Sequence, residues 1–116
     1  MITTATVRPN ARKEIMYKVT LLYGRPDDPE EFERYYTTTH AAVSDGVAGR
    51  AVRAEKWKVL PVDAESPPPY YRISELWFDT RVDLEVTMTS QAMRRSLEDL
   101  HSFATGGTII LTSESI

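Results

Sequence analysis

Phe32, Tyr36 and His40 recur every fourth residue, so in a helix the three stand on one stripe, a phenol directly beside an imidazole. Imidazole titrates near neutrality, and a phenol one turn away can orient it or share its proton. The pair His40 and Tyr36 is therefore a candidate general acid or base, with Phe32 as its apolar neighbour. The opposing reading is a packed histidine satisfied by a backbone carbonyl, with Tyr35 and Tyr36 as plain core residues. Spacing alone leaves both open.

Other side chains suit binding more than reaction. Trp57, Tyr71 and Trp77 could form a slot for an aromatic ligand, or equally serve as dimer contacts, where tryptophan and tyrosine are enriched. Arg72 has the planar fork that clamps a carboxylate, but an arginine between aromatics also stacks or pairs with an acid such as Glu75. His101 falls near a helix C-terminus, where the dipole accounts for it. The chain has no cysteine and its two histidines lie far apart, so no metal site is expected. Gly106-Gly107 precedes a strand, not a helix, which removes the usual phosphate loop. No cofactor is expected.

These residues depend on the elements that carry them. Ile15 to Tyr23 alternates with period two and reads as a first strand. Asp28 then caps, Pro29 suits the first helical position and Glu31 completes a capping box, so a helix should run from Pro29 to about Ser44, stopped near Gly46. Its buried side should include Phe32, Tyr36 or Tyr35, Thr39 and Val43. Thr37-Thr38-Thr39 is a poor helix former, so either packing overrides propensity there or the hydroxyls have a use. A second strand is expected over Ala51–Val62, and the prolines that follow lead through a long connection to a third, Tyr70–Phe78. Alternation there places Tyr71, Ile73, Glu75 and Trp77 on one face. Asp79 or Thr80 starts a second helical stretch, and Thr89 or Ser90 restarts it. Met93, Leu97, Leu100 and Ala104 form the apolar stripe, with Arg94, Arg95, Glu98 and Asp99 on the other side. Thr108–Thr112 is a short fourth strand.

The order β-α-β-β-α-β is that of ferredoxin-like α+β folds: one four-stranded antiparallel sheet with both helices on one side. The other face would then be bare, and Trp57, Trp77, Ile73 and Tyr71 on it imply a partner, most simply a second copy packed sheet to sheet. The 116 residues suffice for one domain, taken as 14–116 behind a loose arm at 1–13. A net charge of −3 argues against a nucleic-acid partner, because such proteins concentrate positive charge. No apolar run approaches the roughly 20 residues that span a bilayer, so no membrane partner is expected, and the absence of cysteine fits the cytoplasmic location expected.

Several ordered segments are similar to one family. Lys18-Val19-Thr20-Leu21-Leu22-Tyr23, Phe32 with Tyr35-Tyr36 and then His40-Ala41, Glu75-Leu76-Trp77-Phe78-Asp79, and Phe103-Ala104-Thr105-Gly106-Gly107-Thr108 resemble the EthD family of small dimeric α/β-barrel proteins. The likeness runs from about Ile15 to Ser113; the proline usual two residues after the histidine is Ala42 here. It implies a ferredoxin-like homodimer joined through its sheet faces, with a small cavity between each sheet and its helices. Founding members are associated with bacterial ether degradation beside an oxygenase system. The family brings no agreed catalytic residues, so only the matching His40 and Tyr36 carry interest over. Related barrels can hold haem, for which His40 would be the axial ligand, but the sequence does not favour it.

Together these readings lead to a protein that takes a small apolar or aromatic molecule in a cleft built from Tyr36, His40, Phe32 and the sheet residues Trp57, Tyr71, Arg72 and Trp77. As an enzyme it would use His40 as acid or base, without a cofactor, in chemistry of the cyclase, decarboxylase, isomerase or oxygenase type. The alternative is a non-catalytic ligand-binding or accessory protein for an oxygenase or degradation pathway.

Overall fold

Alternating side chains from Tyr17 to Gly24 make β1, the strand on which everything else is laid. The computed structural model describes residues 15–116, so the arm expected at 1–13 lies outside the described residues. After β1 come α1 (Pro29–Tyr35), β2 (Arg53–Lys58), β3 (Tyr70–Phe78), α2 (Arg81–Met88), α3 (Gln91–Asp99) and β4 (Thr108–Glu114). The α1 helix continues without a break through a π-helical turn, Tyr36–His40, and a last α turn, Ala41–Val43. A 3₁₀ turn, Leu100–Ser102, extends α3. The sheet order is β2-β3-β1-β4 with every neighbour antiparallel, the ferredoxin-like arrangement expected.

The helix starts follow local chemistry. Asp28 accepts from the Glu31 backbone N–H at 3.2 Å with Pro29 behind it, while Thr80 and Ser90 accept from the N–H groups of Asp83 and Met93 at 3.0 and 3.1 Å. Each satisfies a donor that the first turn leaves orphaned. Where β1 ends, Gly24 passes so near Gly106 that a Cβ on Gly24 would stand 2.2 Å from the Gly106 carbonyl oxygen. Only glycine allows that crossing, which brings the end of α3 and the start of β4 against the mouth of β1.

Register sorts the sheet into two faces. Val19, Leu21 and Tyr23 of β1 pair with Leu76, Ser74 and Arg72 of β3, and with Thr112, Ile110 and Thr108 of β4; these side chains face the helices. The core has two parts: Tyr23, Phe32, Tyr36, Tyr71, Leu100 and Phe103 form one, and Val19, Phe78 and Leu84 the other. Phe32, 1% exposed, is ringed edge-on by Tyr23 and Tyr71 at 5.5 and 5.1 Å and stacks on Tyr36 at 5.4 Å.

The far face carries Leu22, Trp57, Ile73, Trp77, Ile109 and Leu111, interrupted by Lys18, Arg53, Glu55 and Glu75. Lys18 pairs with Glu75 at 3.2 Å and Arg53 with Glu55, while Lys18 and Arg53 both lie over the Trp77 ring, 4.8 and 5.0 Å from its centroid. Trp57 stays 54% exposed, Ile109 43% and Leu111 49%, an apolar band uncovered in a single chain.

Four expectations are corrected. Strict alternation put Tyr71 on the open face, but the register slips between Tyr23 and Gly24, pairing Tyr23 with Arg72 and Gly24 with Tyr70. That bulge inserts Tyr71 and turns it toward the helices, against Phe32. Thr39 is exposed, not buried, while Tyr36 and His40 are both buried. Strand β2 covers only Arg53–Lys58 of the expected Ala51–Val62. Asp99, assigned to the solvent side of its helix, instead turns inward.

Candidate functional site

Two of the three threonines, Thr37 and Thr38, use their hydroxyls within the helix. Thr37 and Thr38 donate back to the carbonyls of Glu33 and Arg34 at 2.7 and 2.5 Å, competing with the backbone ladder at the point where it widens to a π turn. Tyr36 and His40 stack, ring planes 17° apart and centroids at 6.0 Å, with Phe103 4.6 Å from the imidazole.

Tyr36 does not orient the imidazole. Its hydroxyl is paired with Ser74 Oγ on β3 at 3.0 Å. The orienting group is Asp99 at the end of α3: His40 Nδ1–H donates to its Oδ2 at 2.9 Å, and the Tyr35 hydroxyl donates to its Oδ1 at 2.8 Å. On the other nitrogen, Ser44 Oγ stands 3.1 Å from His40 Nε2 and 2.7 Å from Ser96 Oγ. A continuous chain thus runs Asp99, His40, Ser44, Ser96 through the interface between α1 and α3.

Charge states fix the direction of this chain. Burial, the largest influence, lowers the His40 pKa; Asp99 pulls it back up, Lys56 adds to the lowering, and the net value lies below 6.5. Burial alone would raise Asp99, but the hydrogen bonds from His40 and Tyr35 outweigh it and hold the carboxyl below the ordinary aspartate value. At neutral pH Asp99 is thus an ionised, acceptor-only group and His40 is neutral. The proton sits on Nδ1, Nε2 accepts from the Ser44 hydroxyl, and Ser44 Oγ accepts from Ser96. Burial likewise raises Tyr36 above the usual phenol range, so it stays a neutral hydroxyl.

This chain borders a cavity of about 320 Å³ between the sheet and the helices. Val19, Leu21, Leu76, Ile110, Met88 and Met93 supply apolar wall, and Tyr36, His40, Ser44, Ser74, Ser96 and Lys56 supply polar atoms. Apolar walls with a few convergent polar groups are the general character of small-molecule sites.

Of the residues named from the sequence, the structure brings Tyr36 and His40 together at the cavity. The other five do not line it. Phe32 and Tyr71 lie in the packed aromatic core, Trp57 and Trp77 on the open sheet face. Arg72 is held by Glu33, its Nε and guanidinium donating at 3.0 and 2.5 Å, with its carbon 4.8 Å from the Tyr36 ring centroid. Sequence reasoning missed Asp99, Ser44, Ser96, Ser74 and Lys56. Ser44 had a local signal, four residues after His40; Asp99 had none, because only the packing of α3 on α1 brings it to the imidazole.

A four-stranded antiparallel sheet with its helices packed on one side defines a ferredoxin-like α+β protein. Residues 25–107 match the EthD domain, and the chain belongs to that family. It is 28% identical over 100 residues, 85% of this chain and 95% of the other, to an uncharacterized 11.0 kDa protein encoded between thcB and thcC in Rhodococcus erythropolis. An ethyl tert-butyl ether D family protein from Bacillus halodurans superposes with a TM-score of 0.75 at 21% identity, covering 87% of this chain and 99% of that one. A dimeric ferredoxin-like protein of unknown function from Bacteroides fragilis follows at 0.61 and 14%, covering 85% and 95%. A hydroxynitrile lyase from Passiflora edulis gives 0.65 at 10%, covering 89% and 94%. At these identities the structural matches carry the fold alone.

Proposed function

We propose that this chain is a homodimeric, cofactor-independent enzyme in which His40, oriented by Asp99, removes or returns a proton on a small apolar or aromatic molecule held in the cavity. The observation that carries the proposal is an imidazole, 5% exposed, that borders a largely apolar cavity and is held at 2.9 Å by the Asp99 carboxylate behind it. An orienting carboxylate keeps the basic nitrogen aimed one way and steadies the imidazolium once it forms. The hydroxynitrile lyase that shares this fold supports the reading to the extent that the scaffold accommodates catalysis. The open sheet face and the dimeric relative support assembly through the sheets.

One observation favours the second reading, a non-catalytic ligand-binding or accessory protein: the Ser44 hydroxyl covers His40 Nε2, and a ligand proton reaches the base only when that hydroxyl turns aside or relays it. Deuterium exchange into the activated carbon of phenylacetone, followed by proton NMR, separates the two. The enzyme reading expects exchange above buffer background that falls by about 10²–10⁴ in His40→Gln. Binding of phenylacetone without exchange, or exchange unchanged in the folded variant, refutes it.

A further inference from the structure

Ser44 ends the last turn of the α1 segment, and its Oγ is fixed on two sides, donating to His40 Nε2 at 3.1 Å and accepting from Ser96 at 2.7 Å. It borders the cavity, as His40 and Ser96 do, and is less buried than either. From this geometry we propose that Ser44 is a nucleophile, the third member of an Asp99–His40–Ser44 triad that accepts the acyl group of a small apolar ester.

The inference rests on the Asp99–His40 base described above and adds a bond-forming step to it. Three features carry it. The hydrogen bonds have one permitted polarity, since an acceptor-only carboxylate puts the proton on Nδ1 and leaves Nε2 to take one from Ser44. That arrangement, base on nucleophile and orienting acid on base, is what activates a hydroxyl that is otherwise unreactive. The apolar wall of Val19, Leu21, Leu76, Ile110, Met88 and Met93 suits the hydrocarbon part of an acyl chain.

In the step itself Nε2 takes the Ser44 proton as Oγ bonds to the acyl carbon. The carbon–leaving-group bond then breaks, and the leaving alcohol or phenol carries away the proton held on Nε2. Water, deprotonated by the same nitrogen, later attacks the acyl-serine, releasing the acid and restoring the hydroxyl.

Two groups are placed to help. Ser96 donates into Ser44 Oγ and eases the build-up of negative charge there, and the Lys56 ammonium, 5.4 Å from the Tyr36 ring centroid, borders the same cavity. One feature opposes them: Ser44 sits at a helix C-terminus, where the dipole disfavours an anion. Acylation should accordingly be slow, so the mass of the chain, with a fluorophosphonate adduct that does not turn over, is the right readout.

The test is intact-mass and peptide-map analysis of the full chain treated with p-nitrophenyl butyrate, and separately with a fluorophosphonate. The expected result is one adduct per chain on Ser44, absent in Ser44→Ala and formed at least about 100-fold more slowly in both Asp99→Asn and His40→Gln, on the scale seen when such an acid is neutralised. Circular dichroism establishes that each variant is folded, and using two variants of the base pair guards against the loss of one. No Ser44 adduct in the folded native chain, or one that forms equally fast in the variants, overturns the proposal. Exchange into phenylacetone that persists without a Ser44 adduct removes the triad and leaves the general base standing; loss of both removes both.

Discussion

Replacing Asp99 with asparagine tests whether one carboxylate holds the site together. In the native chain it receives two charge-assisted hydrogen bonds, from His40 Nδ1–H at 2.9 Å and from the Tyr35 hydroxyl at 2.8 Å, with only 13% of its side chain exposed. Bonds to a charged group contribute about 1.5–3 kcal/mol each and neutral ones about 0.5–1.5. Asparagine keeps the shape and exchanges two of the first kind for at most two of the second, a loss of about 2–3 kcal/mol. For a chain of this length that is a drop in Tm of roughly 8–12 °C at neutral pH. A stability change does not by itself show that His40 is the partner that matters. Urea denaturation of Asp99→Asn, His40→Gln and the double variant supplies the missing comparison. The single costs should exceed the double by about 1–2 kcal/mol of coupling. Additive costs, or a Tm within about 2 °C of the native value, would refute the view that Asp99 orients His40.

The same pair makes stability depend on pH in a stated direction. Burial holds His40 below 6.5 in the folded chain, so on acidification the unfolded state takes up its proton first. The contribution of neutral His40 is complete above 6.5 and is lost as pH falls from there through the folded value. Urea midpoints should therefore be lower at about pH 5.5 than at about pH 7.5, and His40→Gln should flatten that part of the profile. On the open face, Leu111→Lys combined with Trp57→Lys should shift the light-scattering mass from twice to once the 13.2 kDa of a single chain, with the circular dichroism spectrum unchanged; an unaltered mass would place the interface elsewhere. Phe32→Ala, at the centre of the aromatic cluster, should cost about 3–5 kcal/mol in urea denaturation, and a cost below about 1 kcal/mol would show that the cluster rearranges to fill the space.

Much of the architecture was legible in one dimension because its determinants are local. Period-two alternation marked β1 and β3, Asp28 marked the first helix start and the pairs Asp79/Thr80 and Thr89/Ser90 the next two to within a residue, and the order of elements then admitted few topologies. The every-fourth-residue spacing of Tyr36 and His40 was legible for the same reason. Where alternation failed, at Tyr71, a one-residue bulge had reversed a face, and nothing in the strand's own composition announces where a register will slip.

By itself, then, the sequence determined the elements, the sheet they make and the helix that carries a histidine beside a tyrosine, since caps and periodicity act over a few residues. Tertiary structure decided what that histidine is attached to. Asp99 lies 59 positions from His40 and Ser96 lies 52 from Ser44, distances at which no periodicity operates. Asp99 was assigned to solvent because a helix was read against its own stripe. Packing α3 across α1 turned the same residue inward, bringing a carboxylate, an imidazole and two hydroxyls into one hydrogen-bonded line beside an apolar cavity.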